Sequence, residues 1–234
     1  MKKLILIALA LFISACDAYP PTNVGNNAGA YYNRGIAYKN KGQYERAISD
    51  YTKALEINPR DADTYYNRGI TYRNKGQYDK AITDFTKGIE INPRDARAYN
   101  NRGIVYAQGK GQYDKAITDF TKAIEIHPWD TSAYNSLSWL LATCPTSRYR
   151  DGVEAVGLAQ KAVELDNSFH NLDTLAAAYA EAGNFEKAIK AQERAISLLK
   201  INANTKELAE AKEHLGYYKA HKPWREPKAS GGNP

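Results

Sequence analysis

Apolar and small residues recur along the chain with the spacing of an amphipathic α-helix. Tyr31, Gly35 and Tyr38 fall at i, i+4 and i+7, so a helix places all three on one face. A second stretch follows the same rule, because Ala47 and Tyr51 stand one helical turn apart. The pattern predicts two helices joined by a short turn, with Gly35 allowing the neighbouring helix to come close.

This pattern returns at a fixed interval. Segment 31–38 (YYNRGIAY) recurs as 65–72 (YYNRGITY) and as 99–106 (YNNRGIVY), each time 34 residues later. Asp61 stands at the start of the second unit, where a carboxylate caps a helix N-terminus. A fixed period of this length indicates a repeat array rather than a globular domain with one central core. The third unit has one extra residue within 108–111, which predicts a loosened turn.

The recurring positions resemble the consensus of the tetratricopeptide repeat (TPR) family. They are Tyr31, Arg34, Gly35, Tyr38, Ala47, Tyr51, Ala54 and Pro59 in the first unit, Tyr65, Arg68, Gly69, Tyr72, Ala81, Phe85 and Pro93 in the second, and Tyr99, Arg102, Gly103, Tyr106, Ala116, Phe120, Ala123 and Pro128 in the third. The resemblance covers about residues 28–199. It implies an all-α fold, a right-handed TPR superhelix (α-solenoid) of about five helix-turn-helix repeats with a C-terminal capping helix.

The expected TPR array spans 28–203 and is followed by a cap. Its units are about 28–61, 62–95, 96–130, 131–167 and 168–201. A solenoid needs a terminal helix over its last apolar surface, and 204–221 predicts one, since Leu208, Ala211, Leu215 and Tyr218 share a face. Residues 222–234 are rich in Pro, Gly and charge and predict a flexible tail. The turn of the fourth unit is expanded to 143–152, and no role is assigned to its Arg148 and Arg150.

Residues 1–15 have the features of a secretory signal peptide. A basic start precedes an apolar run of twelve residues, 4–15, which is shorter than the about 20 residues that span a bilayer. The run ends in Ile-Ser-Ala-Cys16, which resembles the lipobox of bacterial lipoproteins. That resemblance implies that Cys16 becomes the first residue and carries acyl chains such as palmitate. Residues 16–27 then form a tether between the lipidated cysteine and the first helix.

Two alternatives remain for this N-terminus. Cleavage by ordinary signal peptidase after Ala15 or Ala18 gives a soluble protein, and an uncleaved segment gives a short anchor. With lipidation, the chain faces the periplasm of the bacterial cell envelope and touches the membrane through its lipid only. Asp17 resembles the signal that retains enterobacterial lipoproteins in the inner membrane.

Composition narrows the classes of function. The formal net charge is +6, and the basic residues are interleaved with acidic ones, which is typical of a solvated surface and not of a nucleic-acid stripe. The two cysteines, Cys16 and Cys144, give no disulfide framework. The four histidines are scattered, and no metal-ligand spacing, nucleophile motif or phosphate loop is present. We therefore expect no enzyme activity, no metal and no cofactor.

The family resemblance implies a concave groove lined by the first helix of each unit. The candidate peptide-binding residues are Tyr32, Asn33, Ile36, Lys39 and Asn40, then Tyr66, Asn67, Ile70, Arg73 and Asn74, then Asn100, Asn101, Ile104 and Gln108. Asn33, Asn67 and Asn101 form a ladder whose carboxamides could pair with both the N–H and the C=O of a peptide. The alternative is that the ladder recurs only because the units are duplicates.

A charged pair of columns predicts contacts between helices. Arg34, Arg68 and Arg102 recur where the consensus has leucine, and Asp50, Asp84 and Asp119 precede the aromatic residue of each second helix. In the last two units both columns become apolar together. Because a buried charge without its partner is costly, this joint loss predicts Arg–Asp pairs in the first three units.

The sequence thus predicts a membrane-anchored, periplasm-facing TPR lipoprotein that acts as a scaffold or adaptor, binding proteins or extended peptides in its groove. Alternatives are an assembly factor for pilus or outer-membrane proteins, and a structural protein that forms homo-oligomers. Catalysis is a third class, which a bound metal or cofactor would reveal.

Overall fold

The computed structural model describes residues 27–199 and 205–228. Over these ranges it contains eleven α-helices and no strand. The helices are α1 Ala28–Asn40, α2 Tyr44–Ile57, α3 Ala62–Asn74, α4 Tyr78–Ile91, α5 Ala96–Ile104, α6 Tyr113–Ile126, α7 Thr131–Thr143, α8 Gly152–Leu165, α9 Phe169–Glu181, α10 Phe185–Leu199 and α11 Thr205–Lys219. Helices α1 to α10 form five antiparallel pairs, here called repeats 1 to 5. The expected all-α solenoid is confirmed. The predicted signal peptide, Cys16 and most of the predicted tether lie outside the described residues.

Local sequence sets the beginnings and ends of these helices. The Asp61 carboxylate accepts the backbone N–H groups of Asp63 and Thr64 at 3.1 and 3.4 Å, which caps α3. Equivalent caps at Asn27, Asp95, Asp130 and Asp151 begin α1, α5, α7 and α8. Gly42 and Gly76 follow α1 and α3 with φ of 70°, a left-handed conformation that ends a helix at little cost only for glycine.

Within each of the first three repeats, a glycine of the first helix lies against an aromatic ring of the second. A Cβ added to Gly69 would come within 2.8 Å of the Phe85 ring. Gly35 with Tyr51 and Gly103 with Phe120 have the same relationship, at 2.6 and 2.7 Å. In repeat 4 the glycine becomes Ser138 and the ring becomes Ala159, and both are buried. The loss of the ring makes room for the serine, whose hydroxyl donates to the Ala155 carbonyl at 2.8 Å.

The Arg–Asp pairs predicted from the sequence are confirmed. Arg34 donates two hydrogen bonds to Asp50, both at 2.7 Å, and Arg68 and Arg102 do the same to Asp84 and Asp119 at 2.7–2.8 Å. Two of these arginines also reach the preceding repeat. Arg68 donates to Thr52 and Arg102 to Thr86, each at 3.0 Å. Each of these two guanidinium groups therefore joins three helices.

The sequence led us to expect that the extra residue of repeat 3 loosens the turn. The structure contradicts this expectation. Helix α5 continues into a π-helical turn, Val105–Gly109. A π-turn absorbs one additional residue within a helix because its hydrogen bonds close over five residues. Gly109 lies against the ring of Tyr78, where an added Cβ would be 2.6 Å from the ring. The extra residue is thus packed against repeat 2.

Helix α11 lies where the cap was expected. Ala211 is buried in a cluster with Ile196 and Leu199 of α10. The Gln192 side chain donates to the Ala211 carbonyl at 3.1 Å. The last apolar surface of repeat 5 is thereby covered.

Candidate peptide-binding groove

The first helices α1, α3, α5, α7 and α9 form one surface, which we call the groove face. The candidate residues lie on α1, on α3, and on α5 with its π-turn. Asn33, Asn40, Asn74 and Gln108 are exposed, whereas Asn100 is buried. The other candidates are half-buried. All of the candidate residues except Asn100 are therefore at least partly exposed to solvent.

Two of the three asparagines of the ladder form side-chain hydrogen bonds within the chain. Asn67 accepts a hydrogen bond from Lys39 Nζ at 2.8 Å. Its amide nitrogen donates to the Tyr32 hydroxyl at 3.1 Å and to the Asp63 carbonyl at 3.0 Å. These contacts use both N–H groups of the carboxamide and one of its acceptor sites, and they join repeats 1 and 2.

Asn101 repeats this arrangement one unit later. It accepts from Arg73 at 2.6 Å and donates to Tyr66 and to the Arg97 carbonyl at 3.2 and 2.9 Å. Asn33, in the first repeat, has no such bond to any residue the structure describes. Two of the three ladder asparagines therefore connect neighbouring repeats. The sequence did not predict this role, because the partners lie 28–35 residues away along the chain.

The two cations that meet this ladder, Lys39 and Arg73, take part in no ion pair of the described chain. Within residues 27–199 and 205–228, no carboxylate lies at ion-pair distance from Lys39 or Arg73. Burial lowers the pKa of both side chains. The arginines of the Arg–Asp pairs are neutralised, whereas Lys39 and Arg73 leave positive charge on the groove face of repeats 1 and 2.

A cavity of about 540 Å³ lies on the groove face between repeats 3 and 4. Its lining is Ile104, Ala107, Gln108, Tyr113, Phe120, Asn135, Ser136, Trp139, Leu140, Thr143, Cys144, Pro145, Glu226, Pro227 and Lys228. The Asn135 side-chain oxygen is buried without a hydrogen-bond donor among the described residues. An apolar concavity with a free polar group is the usual form of a ligand site.

Of the residues that line this cavity, only Ile104 and Gln108 are among the groove residues predicted from the sequence. Sequence reasoning missed Trp139, although the column Ile36, Ile70 and Ile104 continues to it after the extra residue of repeat 3. Following that column into the divergent fourth unit would have extended the groove. The cavity also depends on the C-terminal segment, which has no repeat register to follow.

The expanded turn of repeat 4 has structural partners. The Tyr149 hydroxyl donates to Asp114 at 2.6 Å, and its ring lies 5.2 Å from that of Tyr113. Arg150 donates to the Cys144 carbonyl at 2.8 Å and to Glu181 at 3.0 Å. The turn therefore connects repeats 3, 4 and 5 beside the cavity. Cys144 is buried and free, and burial raises the pKa of its thiol.

Residues 222–228 differ from the flexible tail expected from their composition. They leave α11 and lie against the groove face of repeats 4 and 5. The Glu226 N–H donates to the Thr143 carbonyl at 3.0 Å, and its carboxylate accepts from Trp139 Nε1 at 2.8 Å. Arg225 forms an ion pair with Glu181 at 2.5 Å. Specific partners override the composition here, and residues 229–234 lie outside the described residues.

Two classes of feature are absent from the described part of the chain. No helix there is long and apolar enough to cross a bilayer. No group of three or more His, Cys, Asp or Glu side chains in those ranges could hold a metal ion.

Similar solved structures are repeat proteins of the same fold. YrrB, described as a TPR protein with an unusual peptide-binding site, is 24% identical, with 80% of this chain and 93% of that chain covered and a TM-score of 0.58. MamA from Desulfovibrio magneticus RS-1 is 22% identical, with 77% and 99% covered and a TM-score of 0.64. Yeast Tom70 is 23% identical, with 83% of this chain and 40% of that chain covered and a TM-score of 0.65. No curated protein matches the chain.

Two family models, both described as tetratricopeptide repeat, match the sequence. One matches residues 28–61, 62–95 and 96–130, and the other matches 170–202. The unmatched helix pair is repeat 4, which has an expanded turn and has lost both the Gly–aromatic and the Arg–Asp pairs. Together the matches span more than half of the chain. The protein therefore belongs to the tetratricopeptide repeat family.

Proposed function

We propose that this protein is a peptide-binding scaffold of the bacterial cell envelope, which recruits partner proteins by holding an extended segment on its groove face. The observation that carries the proposal is the cavity between repeats 3 and 4. It combines an apolar floor, including Ile104 and Trp139, with the unpaired acceptor of Asn135. An extended peptide has the N–H groups that such an acceptor needs.

The charge of the groove face defines the preferred partner. Lys39 and Arg73 favour a segment with acidic side chains or a terminal carboxylate over repeats 1 and 2. Of the similar proteins, YrrB is described as having a peptide-binding site. The proposal includes no catalytic step, cofactor or nucleic acid.

The place of action follows from the N-terminal sequence. The signal-like residues 1–15 and the lipobox that ends in Cys16 support an acyl anchor on that cysteine. The array then faces the periplasm on a tether, and Asp17 favours the inner membrane. Labelling with a palmitate analogue tests this step. Label is expected on the natural chain and not on Cys16→Ser, which is released as a soluble periplasmic protein. A membrane-bound, unlabelled natural chain rules out the lipid anchor.

Photocrosslinking from within the envelope tests the scaffold. A photoreactive residue replaces Asn40 or Asn74, both exposed on first helices. The matched control is Glu56, which is exposed on α2, the second helix of repeat 1. Discrete crosslinked partners are expected from the groove positions, identified by mass, and not from Glu56.

Charge reversal connects the partner to the groove. The double variant Lys39→Glu with Arg73→Glu is expected to lower the yield of crosslinks at Asn40 about tenfold, because two favourable contacts become repulsive. Equal crosslinking from both faces, or no dependence on these charges, argues against groove binding. The identity of the captured proteins separates a general adaptor from a factor for pilus or outer-membrane assembly, and capture of the chain itself indicates self-association.

A further inference from the structure

The C-terminal segment returns along the array from which it emerges. At His221 the backbone has a φ of 53°, and the His221 ring stacks on Phe185 of α10 at 5.1 Å. This turn follows the end of α11 and directs the chain back over repeats 5 and 4. A left-handed histidine held by a ring contact is a specified turn rather than a frayed end.

Residues 224–226 then make the contacts of a bound peptide. The Trp224 ring lies 4.7 Å from His214 and 5.1 Å from Tyr217. Arg225 pairs with Glu181 and donates to the Ala142 carbonyl at 3.3 Å. Backbone and side-chain contacts of Glu226 to α7 complete the set. Aromatic, cationic, anionic and main-chain groups are all engaged within three residues.

Charge favours this position. Arg225 of the segment forms its ion pair with Glu181, which is only 14% exposed and is also contacted by Arg150. Glu207 and Glu210 line an adjoining pocket of the groove face. Glu181 of repeat 5 and these two glutamates of α11 thus place acidic groups at the end of the array that carries the segment, whereas Lys39 and Arg73 make repeats 1 and 2 basic.

We infer that residues 222–228 act as a built-in ligand that occupies the groove face of repeats 4 and 5, and that a partner segment with the same chemistry must displace them. That chemistry is an extended Trp-Arg-Glu sequence, with the arginine on Glu181 and the glutamate on Trp139 and Thr143. This inference rests on the proposed function, since it defines one part of the same groove. Because Glu226, Pro227 and Lys228 also line the cavity, their displacement opens it further.

A tethered ligand competes strongly. A short connection gives an effective concentration on the order of millimolar, so a free peptide of micromolar affinity binds much more weakly while the segment is in place. Removing the segment should therefore expose a site for the same sequence added as a separate peptide.

The test uses a fluorescent peptide of residues 221–228 and two forms of the protein, the full chain and a chain ending at Lys222. The shortened chain is expected to bind the peptide at least about tenfold more tightly in fluorescence anisotropy. A peptide with Arg225→Glu and Glu226→Lys is expected to bind about tenfold more weakly, because a glutamate then faces Glu181 and a lysine cannot accept the hydrogen bond from Trp139. Trp139→Phe in the shortened chain removes the donor to Glu226 and weakens binding severalfold.

Circular dichroism establishes that the shortened chain is folded. If the shortened chain is not folded, the full chain with Arg225→Glu and Glu226→Lys takes its place. This variant keeps Trp224 but lacks the contacts that Arg225 and Glu226 make, and it is expected to bind the natural peptide more tightly than the unaltered chain. Equal binding to full and released chains, or equal binding of both peptides, overturns the inference. A dimer that dissociates when the segment is removed would instead place the segment on a second copy. None of these results depends on the envelope crosslinks that test the scaffold.

Discussion

Arg68 donates hydrogen bonds from Nε and Nη2 to the two carboxylate oxygens of Asp84, across the two helices of repeat 2. The side chains are only 16% and 4% exposed. Burial raises the pKa of the Asp84 carboxyl, and the hydrogen bonds from Arg68 counteract this increase. The aspartate therefore depends on its partner to remain charged inside the repeat.

Arg68→Ala should lower the free energy of unfolding by about 3–5 kcal/mol, because it leaves a buried carboxylate alone. The double variant Arg68→Leu with Asp84→Ala should lose less, as the natural chain shows apolar residues at both positions in repeats 4 and 5. Urea unfolding measures both. A double variant as unstable as Arg68→Ala would contradict this account. Lys87→Ala, which removes the exposed pair with Glu90, serves as the surface control.

Gly69→Ala should destabilise the protein by about 1–3 kcal/mol, since the new methyl group would overlap the Phe85 ring. The matched control is Gly157→Ala on α8, where no atom outside the adjoining backbone and chain neighbours lies within 4 Å of the added carbon. That variant should be about 0.5–1 kcal/mol more stable, because alanine favours a helix interior. Thermal unfolding with the two changes in the same direction would refute the close approach of α3 and α4.

Asn33 and Asn67 occupy the same column but differ in their contacts, so they separate the two roles of the ladder. Asn67→Ala should cost about 1–2 kcal/mol, since it leaves Lys39 and Tyr32 without their shared partner. Asn33→Ala should change stability by less than about 0.5 kcal/mol. Urea unfolding, followed by crosslinking from Asn40, measures stability and capture separately. If both variants lose capture with stability unchanged, the ladder binds the ligand directly.

Deleting Gly109 should restore the regular period, because Gln108, Lys110 and Gly111 then match the end of the first helix in repeat 2. The π-turn is expected to become regular α-helix, with stability higher by about 0.5–1 kcal/mol after the loss of a helical glycine. The cavity that this turn lines should change shape, so partner capture should fall. A large loss of stability would instead show that the packing of Gly109 on Tyr78 dominates.

Periodicity predicted the elements that depend on short-range pattern. The helix pairs, the Asp61-type caps and the close approach of a neighbouring helix at the repeat glycine all follow from spacing within one unit. The Arg68–Asp84 pair was predictable because both residues disappear together from the later repeats. These features share a cause, namely that a residue and its partner recur in register.

The remainder depends on contacts that no period reveals. Asn67 has a carboxamide side chain that suits peptide binding, yet its hydrogen-bond partners Lys39 and Tyr32 belong to the preceding repeat. Residues 222–228 have the composition of a loop, yet Glu226 finds a donor in Trp139, 87 residues earlier in the chain. The extra residue of repeat 3 predicted a change of geometry, but sequence alone did not distinguish a π-turn from a longer loop.

The hydrogen bonds that Asn67 and Arg68 form with repeat 1 are the same as those that Asn101 and Arg102 form with repeat 2, and this has a consequence for how such a gene can change length. If residues 62–95 were removed by unequal recombination, Asn101 would meet Tyr32 and Lys39, and Arg102 would meet Thr52, in place of their equivalents in repeat 2. Each of these hydrogen bonds would have a chemically equivalent partner across the new junction, whereas the exposed ion pair of Arg97 with Asp63 would be lost, because Gly29 stands in the place of Asp63. The N-terminal part of this array can therefore lose or gain a whole unit and keep the hydrogen bonds of the asparagine and arginine columns, so the length of its groove can evolve in steps of one repeat.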